Sequence, residues 1–345
     1  MRKREVYMRQ RASLNLAGRA GDSFAALLAK WLDAKRDALR PRTIESYHQT
    51  ATRYVLSAIG DVPASRLTAD DIQRAMAMAV APRTKNYIRT VCHMALEYGV
   101  DHDLVLRNVA RKVSPVRTPE VEREMPPQKQ WEALLAAIDS RAPCTRSLLL
   151  VIAFCGLRVG EACGLKWEDY REGELRIRRA ADRDGNLVSV KTKAGKRSVP
   201  VPKVVAAALD AWRAKQDALR RKRAAMWRKA EPDLMFTTRY GGGWNQRNVL
   251  RAVHAVTKTA GMGAKSVHYL RHVAISHLIA DPEMDLKTVQ SIAGHSSIRV
   301  TLDTYGHLIP GRLKVAAEAM DRRAGGITVP AAASTPPAPS RRRSR

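Results

Sequence analysis

The chain has 345 residues, with 61 lysines and arginines against 33 aspartates and glutamates, a formal net charge of +28. A surplus of that size points to a polyanionic partner, while 45% hydrophobic residues rule out a wholly disordered basic chain and the length fits about two domains. The longest apolar run, Leu148 to Leu157, is shorter than the roughly 20 residues of a bilayer span, no apolar signal segment follows the N-terminal charges, and Cys92, Cys144, Cys155 and Cys163 form no CxxC pair, so a reduced cytoplasmic protein is expected.

Residues 1–22 read as a basic arm carrying Arg2, Lys3, Arg4, Arg9, Arg11 and Arg19. From Ser23 the spacing of Phe24, Leu27, Leu28, Trp31 and Leu32 predicts a helix. A second follows Pro41 through Ile44, Tyr47, Ala51, Tyr54 and Val55, and Thr68 with Asp71 makes a capping box that opens a third, with Leu67 stapled onto Ile72. Thr84 opens a fourth that Gly99 can close, so residues 23–108 form an all-helical domain. Prolines 115, 119, 126 and 127 mark a linker over residues 109–127.

Beyond it, Trp131, Leu134, Leu135 and Ile138 restart a helix, and Arg146–Cys155 reads as a buried one ending at Gly156. The pairs Leu175/Ile177, Leu187/Ser189 and Val199/Val201 predict a three-stranded antiparallel sheet, its first two strands joined through Asp184-Gly185. A basic helix is expected over Val204–Lys229, then helices from Asn245 to about Leu278, over Leu286–Ile292, Ile298–Tyr305 and Arg312–Arg322. Residues 323–345, rich in Ala, Pro, Ser and Arg, read as a disordered basic tail.

Four segments of the second domain hold side chains suited to an anion. In Gly156-Leu157-Arg158-Val159-Gly160-Glu161, Arg158 stands where one helix ends and the next begins, beside an N-terminus that favours negative charge, although the glycine spacing also fits simple close helix packing. In Val190–Arg197, Lys191 and Lys193 share a strand face, so parity does not say which could protonate an alkoxide leaving group, while Lys196 and Arg197 read as a solvated basic turn. In His268-Tyr269-Leu270-Arg271-His272, His268 and Arg271 share a helix face and can grip one phosphate. The zinc motif HExxH is not matched there, and His272 reads as a packed or hydrogen-bonding helix residue. The fourth segment places His295, after Gly294, at a helix junction and Tyr305 about two turns further on. Together these groups describe a metal-free site for phosphoryl transfer, with cations to stabilise a pentacoordinate phosphorus and a phenol to attack it, and Gly195-Lys196 lacks P-loop spacing.

Through these four ordered motifs, between about Trp131 and Leu308, the sequence resembles the tyrosine recombinases, specifically the phage-type integrases. The resemblance implies a mainly α fold with a small antiparallel β-sheet: an all-helical, SAM-like core-binding domain at residues 23–108 and an α+β catalytic domain at 128–322. It implies that Arg158 is the first catalytic arginine, Lys191 the hairpin lysine, His268 and Arg271 the HxxR pair, His295 the third-box histidine and Tyr305 the nucleophile, with Glu161 in a structural role. The implied reaction is integration or excision of phage or other mobile DNA through a 3′-phosphotyrosine and a Holliday junction. It needs neither cofactor, ATP nor metal. The implied partners are double-stranded DNA at attachment sites, three further copies in a tetramer, and a directionality factor, with the protein on the nucleoid when bound. A host recombinase for chromosome-dimer resolution or a transposon integrase would use the same set. A non-cleaving DNA-binding regulator would not need it, and a type IB topoisomerase fits the short helical N-terminal domain less well. Residues 1–22 are too few for a further arm-type DNA-binding domain, since cores become marginal below roughly 40 residues, so short simple recombination sites are expected.

Overall fold

The computed structural model describes residues 22–119, 125–190, 193–227, 233–306, 320, 322 and 323. The basic arm, Lys191, most of the expected Arg312–Arg322 helix and nearly all of the tail lie outside these residues. The chain forms two compact units that divide between Val121 and Glu122. No helix among the described residues is long and apolar enough to cross a membrane.

The first unit is helical. Helix α1 (Phe24–Ala34) starts where the Ser23 hydroxyl accepts the Ala26 N–H, and it buries Phe24, Leu27, Leu28 and Trp31 as one stripe. Each such side chain contributes about 1.5–3 kcal/mol on leaving water. Helix α2 (Pro41–Thr50) passes through a π-helical turn, Ala51–Val55, into the short α3 (Leu56–Ile59). Helix α4 (Ala69–Ala77) has the expected Thr68–Asp71 capping box. Helix α5 (Pro82–Asp101) begins at Pro82 and runs through Gly99 rather than stopping there. A Cβ at Gly99 would stand 3.0 Å from the side chains of both Leu27 and Val105, so the glycine serves a close approach of α1 and not a helix end. Residues 109–113, expected in the linker, instead form a 3-10 turn that buries Val109, Ala110 and Val113 in this unit's core.

The second unit is built around α7 (Pro143–Cys155), which buries residues on every side, as its unbroken apolar run demands, with α6 (Gln128–Asp139) beside it. Gly156 ends α7 at φ 63°, and α8 (Val159–Cys163) follows at once. The strands differ from the expected arrangement. Strands β1 (Tyr170–Arg171), β2 (Glu174–Ile177) and β5 (Arg197–Pro200) form an antiparallel sheet in the order β1-β2-β5, with Leu175 opposite Val199. The Asp184-Gly185 turn joins β3 (Arg179–Ala181) to β4 (Leu187–Ser189) as a separate hairpin. Its carboxylate at Asp182 accepts the Asp184 and Asn186 N–H groups, which closes the turn locally and leaves β2 to pair with β5.

Helix α9 (Lys203–Lys222) lays Val205, Ala208, Leu209 and Trp212 on the core and turns its cations outward. The expected helix from Asn245 to Leu278 is two, α10 (Gln246–Thr259) and α11 (Val267–Ala280), because the chain turns through positive φ at Gly261 and Gly263. Helices α12 (Leu286–Ala293) and α13 (Ile298–Tyr305) complete the described unit.

Candidate active site

The site lies where the α7–α8 junction, β5, α11 and the α12–α13 junction meet. Arg158 caps α8 in extended conformation, its N–H donating to Glu161 Oε2 at 2.9 Å and its Nη1 to Glu161 Oε1 at 2.8 Å. Nη2 reaches across to the Gly294 carbonyl at 3.0 Å, leaving the side chain partly exposed.

Arg197 holds the other side of the same carboxylate, with Nη2 2.9 Å from Oε2 and Nη1 3.1 Å from Oε1. The expectation of a solvated Arg197 is therefore corrected: its side chain is 4% exposed, because a carboxylate as buried as Glu161 requires a second charged partner. Burial would raise the Glu161 pKa, but the hydrogen bonds and charges of Arg197 and Arg158 outweigh it and hold the carboxyl at about 2. Glu161 is an anion that fixes two guanidiniums and accepts the Arg158 N–H at the start of α8.

Arg271 is buried on α11. Its Nη1 donates to the Gly156 carbonyl and its Nη2 to the Ala293 carbonyl at 2.5 Å and to His295 Nε2 at 3.3 Å. Burial and the charges of Arg158 and Arg197 pull its pKa down to about 10, so it stays charged at neutral pH. Three arginines thus occupy three successive carbonyls at the end of α12: Arg197 Nε on Ile292 at 2.7 Å, Arg271 on Ala293 and Arg158 on Gly294. These are the carbonyls a helix leaves without intrahelical partners, at its negative end.

His295 follows directly. An arginine only donates, so Nε2 accepts, and the neutral ring carries its proton on Nδ1, donated to the buried Thr301 hydroxyl at 2.9 Å. Burial first, then Arg271, Arg158 and Arg197, push the His295 pKa down to about 4. Tyr305 ends α13, 1% exposed among Ile275, Ile279, Val289 and Ala293, with its hydroxyl hydrogen-bonded to His272 Nδ1. His268 stands exposed in the first turn of α11, its ring centroid 6.4 Å from that of His272.

The structure therefore gathers Arg158, Arg271, His295 and Tyr305 around one junction, with His268 on the helix that carries Arg271. Lys191 lies outside the described residues, between Val190 and the 3-10 turn Lys193–Gly195. The sequence reading puts Arg197 in a solvated turn, has His272 as a packed or hydrogen-bonding helix residue without naming Tyr305 as its partner, and does not single out Thr301. The one usable signal was Glu161, an acid inside an apolar junction that had to be paired. Chemically the arrangement is a positively charged cup with a phenol and a neutral imidazole beside it, suited to a phosphodiester.

The phage integrase family matches residues 126–311, and the N-terminal SAM-like domain of phage integrases matches residues 23–77. The XerC-like tyrosine recombinase of Caldanaerobacter subterraneus subsp. tengcongensis is 26% identical over 324 residues, covering 86% of this chain and 82% of the relative. The fold is similar to that of the Tn1549 transposon integrase in complex with transposon right end DNA, with a TM-score of 0.73, 18% identity, and coverage of 88% of this chain and 99% of that one. It is also similar to that of the lambda integrase tetramer bound to a Holliday junction, with a TM-score of 0.61, 16% identity, and coverage of 83% and 80%. The described fold and the family match over more than half of the sequence agree, and this chain belongs to the phage integrase family, the tyrosine recombinases that cut and rejoin DNA at specific sites.

Proposed function

We propose that the protein integrates or excises mobile DNA, with Tyr305 as nucleophile. The observation that carries the assignment is the convergence of Arg158 and Arg271 on the α12–α13 junction that leads into Tyr305. In the cleavage step Tyr305 attacks a scissile phosphate, a 3′-phosphotyrosyl bond forms and the bond to the 5′-oxygen breaks. Arg158 and Arg271 hold the nonbridging oxygens, each with guanidinium N–H groups beyond those bonded to backbone carbonyls. Lys191 protonates the leaving 5′-oxygen, and His268 and neutral His295 hydrogen-bond the phosphoryl group. The bond energy is kept in the phosphotyrosine, so rejoining needs no nucleotide.

The working assembly is a tetramer of this chain on two DNA duplexes. The tetrameric lambda integrase bound to a Holliday junction supports this reading. A directionality factor is the accessory partner such a reaction takes. The net charge of +28 supplies the phosphate contacts, which makes binding strongly salt-dependent. The second reading, chromosome-dimer resolution, is favoured by the XerC-like relative. Recovery of attachment-like repeats in DNA flanking the gene separates the two.

The test is covalent capture on a nicked suicide substrate. Tyr305→Phe abolishes the adduct while DNA binding stays within about twofold, since one hydroxyl is lost and no positive charge. An adduct formed by the Phe variant would show that the nucleophile lies elsewhere.

A further inference from the structure

The Tyr305 hydroxyl is hydrogen-bonded to Nδ1 of His272, and the two rings lie 5.6 Å apart at 50°. His268, the histidine shared with Arg271 in the motif, is one turn earlier on α11 and exposed. His272 and Arg271 are adjacent in sequence, so they leave α11 about 100° apart. One reaches the carbonyls that cap α7 and α12, the other the phenol.

A tyrosine with an ordinary pKa of about 10 holds its proton at neutral pH, and its oxygen becomes a strong nucleophile only as that proton leaves. Tyr305 is 1% exposed, packed by Ile275, Ile279, Val289 and Ala293, so bulk water is not at hand to receive it. A neutral imidazole carrying its proton on Nε2 presents the Nδ1 lone pair to the hydroxyl.

We propose that His272 is the general base of this recombinase, taking the phenolic proton of Tyr305 in cleavage and returning it in rejoining. The proposal rests on Tyr305 being the nucleophile. In cleavage the Tyr305 Oη–P bond forms, the P–O5′ bond breaks, the phenolic proton moves to His272 Nδ1, and the 5′-oxygen receives its proton from the hairpin lysine. In rejoining the 5′-hydroxyl attacks, its proton passes back to the lysine, and the departing phenolate recovers its proton from His272. Both partners end as they began, so no external acid or base is consumed. The assignment divides the two histidines of α11: His268 serves the phosphate and His272 the nucleophile.

The experiment is single-turnover cleavage of a suicide DNA substrate by the full-length protein, bound to saturation before the reaction is started. His272→Ala and His272→Asn should each slow adduct formation about 100-fold or more, within the range of general-base effects, with DNA binding unchanged within about twofold. Asn keeps a hydrogen-bonding group near the Nδ1 position but cannot carry the proton, so its failure separates proton transfer from positioning. The second arm replaces Tyr305 by a fluorinated tyrosine whose phenol is far more acidic. Fluorination should restore most of the rate to His272→Ala while accelerating the parent chain little, an effect that a packing defect does not give. An Asn variant as fast as the parent, or an Ala variant slowed equally with tyrosine and fluorotyrosine, overturns the proposal. In that outcome, an inactive Tyr305→Phe control shows that the nucleophile assignment stands and only the base is wrong, whereas an active one removes both.

Discussion

Arg197 and Glu161 form a doubly hydrogen-bonded ion pair in which each side chain is only 4% exposed. The pair joins β5 to the first turn of α8, beside Arg158. An ion pair so far from water contributes less through mutual attraction than through the cost of breaking it, since either partner alone is a buried unpaired charge. We predict that Glu161→Gln destabilises the protein by about 3 kcal/mol or more at pH 7. The pH dependence has a definite sign. The folded carboxyl, at about 2, lies below its unfolded value of 4.5, so its contribution is complete above about pH 4.5 and is lost as the pH falls toward 2. Denaturant unfolding of both chains should therefore show a gap that narrows over that range. A gap independent of pH would mean that the charge of Glu161 is not what stabilises the junction.

Gly294 offers a cleaner test of crowding. It sits at φ 62°, and a Cβ there would fall 2.8 Å from Arg197 Nη1 and 3.1 Å from the Ala194 carbonyl. The guanidinium is pinned by Glu161 and cannot yield. Gly261 has a similar φ of 72° with nothing within 4 Å. We predict that Gly261→Ala costs only the left-handed backbone penalty of about 1 kcal/mol, measured by thermal unfolding. Gly294→Ala should cost clearly more and slow cleavage at least tenfold. Equal losses at the two positions would show that the Arg197 contact is not rigid.

His295 should remain neutral through the physiological range. In NMR titration of the DNA-free protein its ring resonances should stay flat from pH 8 to 5 and move only near pH 4, because burial and three arginines oppose a positive ring. Arg158→Gln should shift that midpoint upward. A midpoint near 6.5 in the parent chain would show that burial and the three arginines do not hold the ring neutral in acid.

The hairpin lysine is tested through its leaving group. Lys191→Ala should slow cleavage strongly, and a 5′-thio substrate, whose leaving group needs little protonation, should restore the rate. Lys193→Ala should mainly weaken DNA binding. Thio rescue of Lys193→Ala instead would exchange the two assignments.

The sequence displayed those parts of the fold that depend on neighbours a few residues apart. The stripe of Phe24, Leu27, Leu28 and Trp31, the Thr68–Asp71 box and the helix end at Gly156 are local, and each stands where the spacing puts it. The sheet was misread because its partners are far apart in the chain: Leu175 pairs with Val199, and no pattern within either strand names the other. Gly99 was misread for the same reason, since the residue that requires a glycine there is Leu27 on another helix. At the site, the ordered motifs gave the residues around Arg158, Arg271, His295 and Tyr305. They did not give Arg197, which a basic turn disguised, or the contact of His272 with Tyr305, which depends on how α11 and α13 are placed.

The three carbonyls at the end of α12 have an implication for how the site tolerates change. They belong to the backbone, so the attachment of the helix pair bearing Tyr305 is written in the arginines and not in the side chain of Ile292, while Gly294 must stay without a side chain to leave room for Arg197. Ile292 can drift to other apolar residues without loosening the anchor, whereas Lys in place of Arg158, Arg197 or Arg271 keeps the charge and loses the fork that bonds in more than one direction. The same three side chains that crowd positive charge at the site are thereby the clasp of the segment that ends in Tyr305. A substitution among them removes an electrostatic contact and frees the tyrosine at one stroke, so two such substitutions together should cost less than the sum of their separate losses.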